Sequence, residues 1–296
     1  CAMTKHNPSH CFVLFLFVVL FCTAIQAVSA QGEPIPVPTL VEQVIELTNL
    51  ARVAEGHPPL ALSEALAQAA QTHSQAMAGS DFFAHDNPAT FSTPGERIAA
   101  AGYNGVATGE NVAAGQPSPM DVVQDWLFSP GHRANIMSDN FREMGAGYVL
   151  DARDVYPDES SPYQYYWTQT FGTQADHFPL IINNEAFATL SPAVSLYVYG
   201  EPWAQEMRFR NDDSPFSGWE AYRPNRSWIL PAEDGLHRVT VELRNGAEVL
   251  TAIDSIYLDS TGTTTSPTTL AESVAVPGLA ASVSNDYIQI GVGDDG

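Results

Sequence analysis

The sequence predicts an α+β fold, with helices first and strands later, followed by a second, all-β module. Three observations predict it. Apolar residues recur at helical steps through the first third of the chain. Aromatic and β-branched runs follow at 144–150 and 165–171. After Gly172 the pattern changes to alternation with period two, punctuated by Asp-Gly and Asn-Gly turns. Helices followed by strands, rather than strict alternation of the two, argue against a wound parallel sheet.

The first helix begins after Thr39, a candidate N-cap, and carries Val41, Val44, Ile45, Thr48 and Val53 on one stripe widened by Leu40 and Leu47. The run Gly56-His57-Pro58-Pro59 ends it. A second helix is expected from Ser63 to Gly79 through Leu66, Ala69, Ala70, His73, Ala76 and Met77. Shorter helices are expected at 94–101 and 119–128, with 106–114 between them left irregular. In the second module Val194, Leu196 and Val198, then Met207 and Phe209, then Val239, Val241 and Leu243 alternate with outward residues, and Ile256 and Leu258 close the series. Trp219 and Trp228 are expected as plugs of its core, and Trp126 and Trp167 as core of the first part.

The chain carries 34 acidic against 12 basic residues, a net charge of −22, and its one lysine is Lys5. That field repels nucleic acid and anionic lipid headgroups at long range, which argues against DNA or RNA as a partner and leaves cations, neutral glycans and neutral lipids compatible with the surface.

Lys5 and His6 precede an apolar run over 12–25 that ends in Val28-Ser29-Ala30. This reads as a signal peptide over 1–30, cleaved after Ala30, with Met3 as candidate start. The run is shorter than the roughly 20 residues of a membrane-spanning helix. Cys1, Cys11 and Cys22 all lie within 1–30, so the mature chain is expected to have no disulfide, no thiol catalysis and no cysteine-ligated zinc. Residues 31–38 read as a proline-spaced linker, 39–175 as the first domain, 176–259 as a β-sandwich, and 260–296 as a Thr/Ser/Gly-rich linker with an unassigned tail.

Hydrolytic signatures are absent: no His-Glu-x-x-His, no Gly-x-Ser-x-Gly, no phosphate loop and no complete dinucleotide fingerprint occurs. What stands out is His85 in FFAHDNP, Glu110 in GENVAAG and His132 in SPGHRANIM, too irregularly spaced to share one helix. The ordered set NLARVAEGHPPLAL, AMAGSDFFAHDNP, GERIAAAGY, GENVAAG, VVQDWLFSPGHRANIM, MGAGYVL and YYWTQTFG resembles the CAP (SCP/PR1-like) superfamily in its bacterial, disulfide-free form, over about 39–172. The resemblance implies an α-β-α sandwich around a central antiparallel sheet and an open cleft. It also implies that His85, Glu110 and His132 are three members of a His/Glu tetrad. The fourth, a glutamate three residues after the helix tryptophan, is replaced by Ser129.

Two readings of that cluster remain open. His85, His132 and Glu110 could ligate zinc or a similar divalent ion, with Glu110 as candidate base toward metal-bound water. Alternatively they form a hydrogen-bonded network that shapes the cleft floor. Ser129 stands three residues before His132 as a candidate nucleophile, but Ser-Pro is also an N-cap followed by proline at the first helical position. Asn49 and Arg52 match the resemblance's first-helix pattern and are expected to tie loops to the helix. His73 is expected to be packed and His57 to sit in a turn. The module around SGWEAY, SWIL and the Asp234-Gly235 strand pair resembles Ig-like or fibronectin-like modules of bacterial secreted proteins.

The expected protein is therefore a secreted monomer that binds an extracellular lipid, glycan or protein through the cleft, with no cofactor certain. The alternatives are a metal-dependent hydrolase of peptides or wall polymers, and an adhesin acting through the β-module.

Overall fold

A computed structural model describes residues 35–158 and 160–262, all of which fall in one compact unit. The expected signal peptide, the first part of the linker and the tail beyond 262 lie outside the described residues.

Five helices and four strands make the first part. They are α1 (Leu40–Ala54), β1 (Ala61–Leu62), α2 (Glu64–Gly79), α3 (Pro94–Ala100), β2 (Ala107–Ala114), α4 (Pro119–Phe128), α5 (Pro130–Ile136), β3 (Glu143–Leu150) and β4 (Tyr165–Thr173). Thr39 caps α1 in a reciprocal box with Glu42, and Thr93 does the same for α3 with Glu96. Residues 106–114, expected to be irregular, instead give β2, paired along its whole length with β4 from Ala107↔Thr173 to Ala114↔Tyr166. The sheet order is β1-β3-β4-β2. It is antiparallel except where the two-residue β1 runs parallel to β3.

The pleat of β4 sends alternate residues into two helix layers. Trp167 and Phe171 pack with Val44, Ile45 and Ala51 of α1 and Val122, Val123 and Trp126 of α4. On the other face Tyr166 packs with Met77 and Ala78 of α2. Thr168 accepts from Ser74 at 2.9 Å, and Thr170 donates to the Leu66 carbonyl at 2.9 Å. The result is the sandwich of helix, sheet and helix that the resemblance implies. Trp126 and Trp167 are fully buried. Val53 is a correction: at 40% exposed it has left the α1 stripe.

The approach of α2 to the sheet is unusually close. A Cβ on Gly145 would stand 2.0 Å from the Ala67 nitrogen, and one on Gly147 2.3 Å from the Gln71 nitrogen. Glycine at both positions lets helix backbone rest on strand backbone.

The second part holds β5 (Leu180–Ile182), β6 (Ala188–Thr189), β7 (Ala193–Val198), β8 (Glu206–Asn211), β9 (Glu220–Ala221), β10 (Asn225–Ile229), β11 (Gly235–Asn245) and β12 (Glu248–Leu258). They form two sheets, β10-β7-β5 and β6-β12-β11-β8-β9. Leu180, Ile182, Val194 and Leu196 of one sheet share a core with Met207, Phe209, Val239, Val241 and Ile256 of the other. β11 and β12 meet across the Asn245-Gly246 turn, Asn245 opposite Glu248. The tryptophans expected as plugs of this core do not fill it. Trp219 is half-buried and stacks between Arg208 and Arg244, at 4.5 and 4.2 Å. Trp228 lies at the core's edge against Phe209 and donates to Asn211 at 2.5 Å. An indole N–H needs a partner, and Trp228 finds one only at the rim.

Two buried polar side chains tie loops to α1, as expected from the sequence. Asn49 bonds both ways with Leu60, at 2.8 Å each, and Arg52 donates to the carbonyls of Pro58, Ile136 and Ser138. His57 bonds Asp139 at 2.9 Å.

Candidate functional site

Period-two alternation on β2 sends Val112 and Ala114 into the α2 layer and puts Glu110 on the same face. Its carboxylate, 2% exposed, is covered by cationic or polar neighbours from three segments. His85, in the connection between α2 and α3, brings Nδ1 to 2.9 Å of Oε1. Arg97 of α3 donates from Nη2 to Oε1 at 3.0 Å and Oε2 at 2.8 Å. The same nitrogen reaches the His85 carbonyl at 2.8 Å, and Nη1 reaches that of Ser92 at 2.7 Å. His73 of α2 lies 4.0 Å away through Nε2, which donates to the Ala84 carbonyl at 2.9 Å. Burial holds the His73 imidazole below its ordinary range, against a smaller pull upward from Glu110. Its buried Nδ1 lacks a hydrogen bond.

α5 packs against the other polar group of this strand. Asn111 donates to the His132 carbonyl at 3.2 Å, and Asn135 donates to the Glu110 carbonyl at 3.1 Å and to Asn111 Oδ1 at 2.9 Å. His85 and Glu110 are thus joined side chain to side chain, and His132, itself buried, reaches the next residue of the strand through its backbone. Ser129 occupies the N-cap position of α5, with Pro130 following, but its hydroxyl makes no capping bond. Its carbonyl, not its side chain, serves the helix by accepting from Arg133 at 2.8 Å.

Arg97 is the member that sequence reasoning missed. It was legible only as part of GERIAAAGY, yet in a chain with 12 basic residues each arginine near a carboxylate carries weight. A guanidinium within hydrogen-bond reach of both oxygens neutralises Glu110, which the metal reading had assigned to a cation. The donor set therefore does not fit a divalent ion at Glu110, since the ion would stand beside a fixed positive charge. Among the described residues no group of three or more His, Cys, Asp or Glu is arranged to hold a metal.

Comparison with known proteins covers this part of the chain. Residues 45–171 match the family model of the cysteine-rich secretory protein family, CAP. An uncharacterized protein of Bacillus subtilis strain 168, YkwD, is 37% identical over 127 residues, covering 43% of this chain and 49% of that protein. An uncharacterized membrane protein of the same strain, YlbC, is 28% identical over 109 residues, or 37% and 31%. The chain thus spans about half the length of the first and about a third of the second. Among solved structures, an extracellular SCP-domain protein from Bacillus anthracis has 30% identity and a TM-score of 0.39, covering 46% of this chain and 40% of that one. An outer surface protein from Borrelia burgdorferi has 18% identity and a TM-score of 0.38, covering 44% and 90%. Among the described residues no helix is long and apolar enough to cross a membrane. Residues 45–171, which carry His85, Arg97 and Glu110, form a CAP domain.

Proposed function

We propose that the protein is secreted after cleavage at Ala30 and uses its CAP domain, over 39–175, as a binding module. An extracellular lipid, glycan or protein contacts the groove beside His85, and the β-module over 176–259 serves as a spacer. The observation that carries this reading is the occupation of Glu110. Of the carboxylate's roughly four lone-pair positions, three are met, two by Arg97 and one by His85, so the group is engaged as a hydrogen-bond acceptor rather than presented to a metal or to water. The cluster is built to hold the groove's shape. His85, about a quarter exposed through its side chain, is its outward member.

The test has two arms. Calorimetric titration of zinc into the full chain and into His85→Ala/His132→Ala is expected to give equal heats; saturable heat lost in the variant overturns the reading in favour of the metal hydrolase. Co-sedimentation with insoluble wall polymer and flotation with neutral phosphatidylcholine vesicles follow, with a panel of extracellular proteins for the third ligand class. Retention in one arm, reduced about tenfold by His85→Ala, supports the groove. Equal retention of wild type and variant assigns binding to the β-module instead.

A further inference from the structure

A cavity of about 380 Å³ opens between the CAP domain and the β-module. Val41 and Ile45 of α1, with Ala61 and Leu62 of β1, wall one side, and Phe187, Ile253 and Tyr257 wall the other. Its titratable groups come from every element packed around it: Glu42 of α1, Glu64 of α2, His177 after β4, Glu185 between β5 and β6, and Asp254 and Tyr257 of β12. No lysine or arginine lines it. Elsewhere three buried or half-buried glutamates have guanidinium partners, Glu110 with Arg97, Glu206 with Arg244 and Glu242 with Arg208, while buried Glu143 accepts from Tyr103 and stands near His177.

Two of these acids break local rules. Asp254 shares a face of β12 with Ala252, Ile256 and Leu258, all buried and apolar. Its oxygens accept from the Ile182 and Ser255 nitrogens, each at 2.6 Å. Glu185 ends a turn in which Asn183, Asn184 and Glu185 all have positive φ, 45, 62 and 64°, a conformation that costs free energy in any residue but glycine. The CAP domain bolts that turn in place. Asn49 donates to the Asn184 carbonyl at 3.0 Å, and the Leu62 nitrogen donates to Glu185 Oε1 at 3.1 Å. Both residues line the cavity and are partly exposed.

We propose that Glu185, bonded across the interface to Leu62 and charge-coupled to Asp254 behind it in the β-module, forms a proton-operated latch between the CAP domain and the β-module, tight in acid and loosened as the medium approaches neutrality. Desolvation raises both groups, and the Asp254 charge raises Glu185 further; Asp254 is pushed up to about 7. The closed state therefore holds a proton that the open state, with carboxyls returned to water, releases. From the ordinary carboxylate range up to about 7, opening grows more favourable with pH. The latch is independent of the His85–Glu110 groove and stands or falls apart from the binding role.

Hydrogen exchange on the full chain tests it at the Leu62 amide, the donor to Glu185 across the interface. With intrinsic rates divided out, one linked proton gives about a tenfold rise in the opening constant per pH unit over that window. Glu185→Gln/Asp254→Asn removes the slope. A wild type without the slope, or a double variant that keeps it, overturns the latch. Carboxyl ¹³C titration of the unsubstituted chain needs no variant: Asp254 titrating near neutrality supports the proposal, and titration in the ordinary carboxylate range overturns it.

Discussion

Arg97 Nη2 donates to both carboxylate oxygens of Glu110, at 3.0 and 2.8 Å, and to the His85 carbonyl at 2.8 Å. One side chain therefore ties α3, the α2–α3 connection and β2 together. Removing it leaves a carboxylate that is 2% exposed without its cation. Arg97→Ala is expected to cost about 3 kcal/mol in urea unfolding. Arg97→Ala/Glu110→Gln recovers part of that loss, because the stranded charge is gone. A single variant as stable as wild type contradicts the pairing.

Gly147→Ala brings a methyl group to 2.3 Å of the Gln71 nitrogen in the α2 backbone. Neither partner is a flexible side-chain tip, so the helix must lift from the sheet. The expected loss is about 3 kcal/mol or more in thermal unfolding, at the top of the range for overpacked sites. Gly95→Ala, with nothing within 4 Å of the added Cβ, serves as the neutral control.

The two tryptophan environments separate by magnitude. Trp126→Ala empties a fully buried site and gives up the bond from Nε1 to the Val112 carbonyl, for about 3–5 kcal/mol. Trp219→Ala removes only a half-buried ring between Arg208 and Arg244, for about 1 kcal/mol. Equal losses would return Trp219 to the core.

His73 titrates below its ordinary value of 6.5 because burial disfavours the imidazolium. The unfolded chain takes up that proton first. The stabilisation is complete above about 6.5 and is lost progressively as the pH falls below it. His73→Gln has no such group, so wild type should lose more stability than the variant between about pH 7 and about pH 5 in denaturant titrations. Parallel curves would show the histidine to be solvated.

The sequence made the helices legible because caps and apolar spacing coincide: α4 occupies the expected 119–128, and Thr93 and Thr39 both close capping boxes. β2 was not legible. ATGENVAA holds glycine, glutamate and asparagine, weak strand formers, and it is extended because β4 offers a continuous partner from Thr173 to Tyr166. His85 and Glu110 could be named from their motifs, whereas Arg97 could not. Its role follows from α3 lying across the strand, a tertiary relationship no local pattern encodes. Trp219 misled for a similar reason, since hydrophobic bulk reads as core until the flanking arginines are seen to sandwich it.

The glycines of β3 have a consequence for motion. With α2 seated backbone to backbone on β3, His73 and its layer cannot slide or tilt without breaking van der Waals contact along several residues. The opposite jaw, α3 with the segment that bears His85, is fastened to β2 through Arg97. That segment's hold on β2 therefore runs through one guanidinium and one imidazole, whereas α2 rests on β3 along a stretch of bare backbone at two glycines.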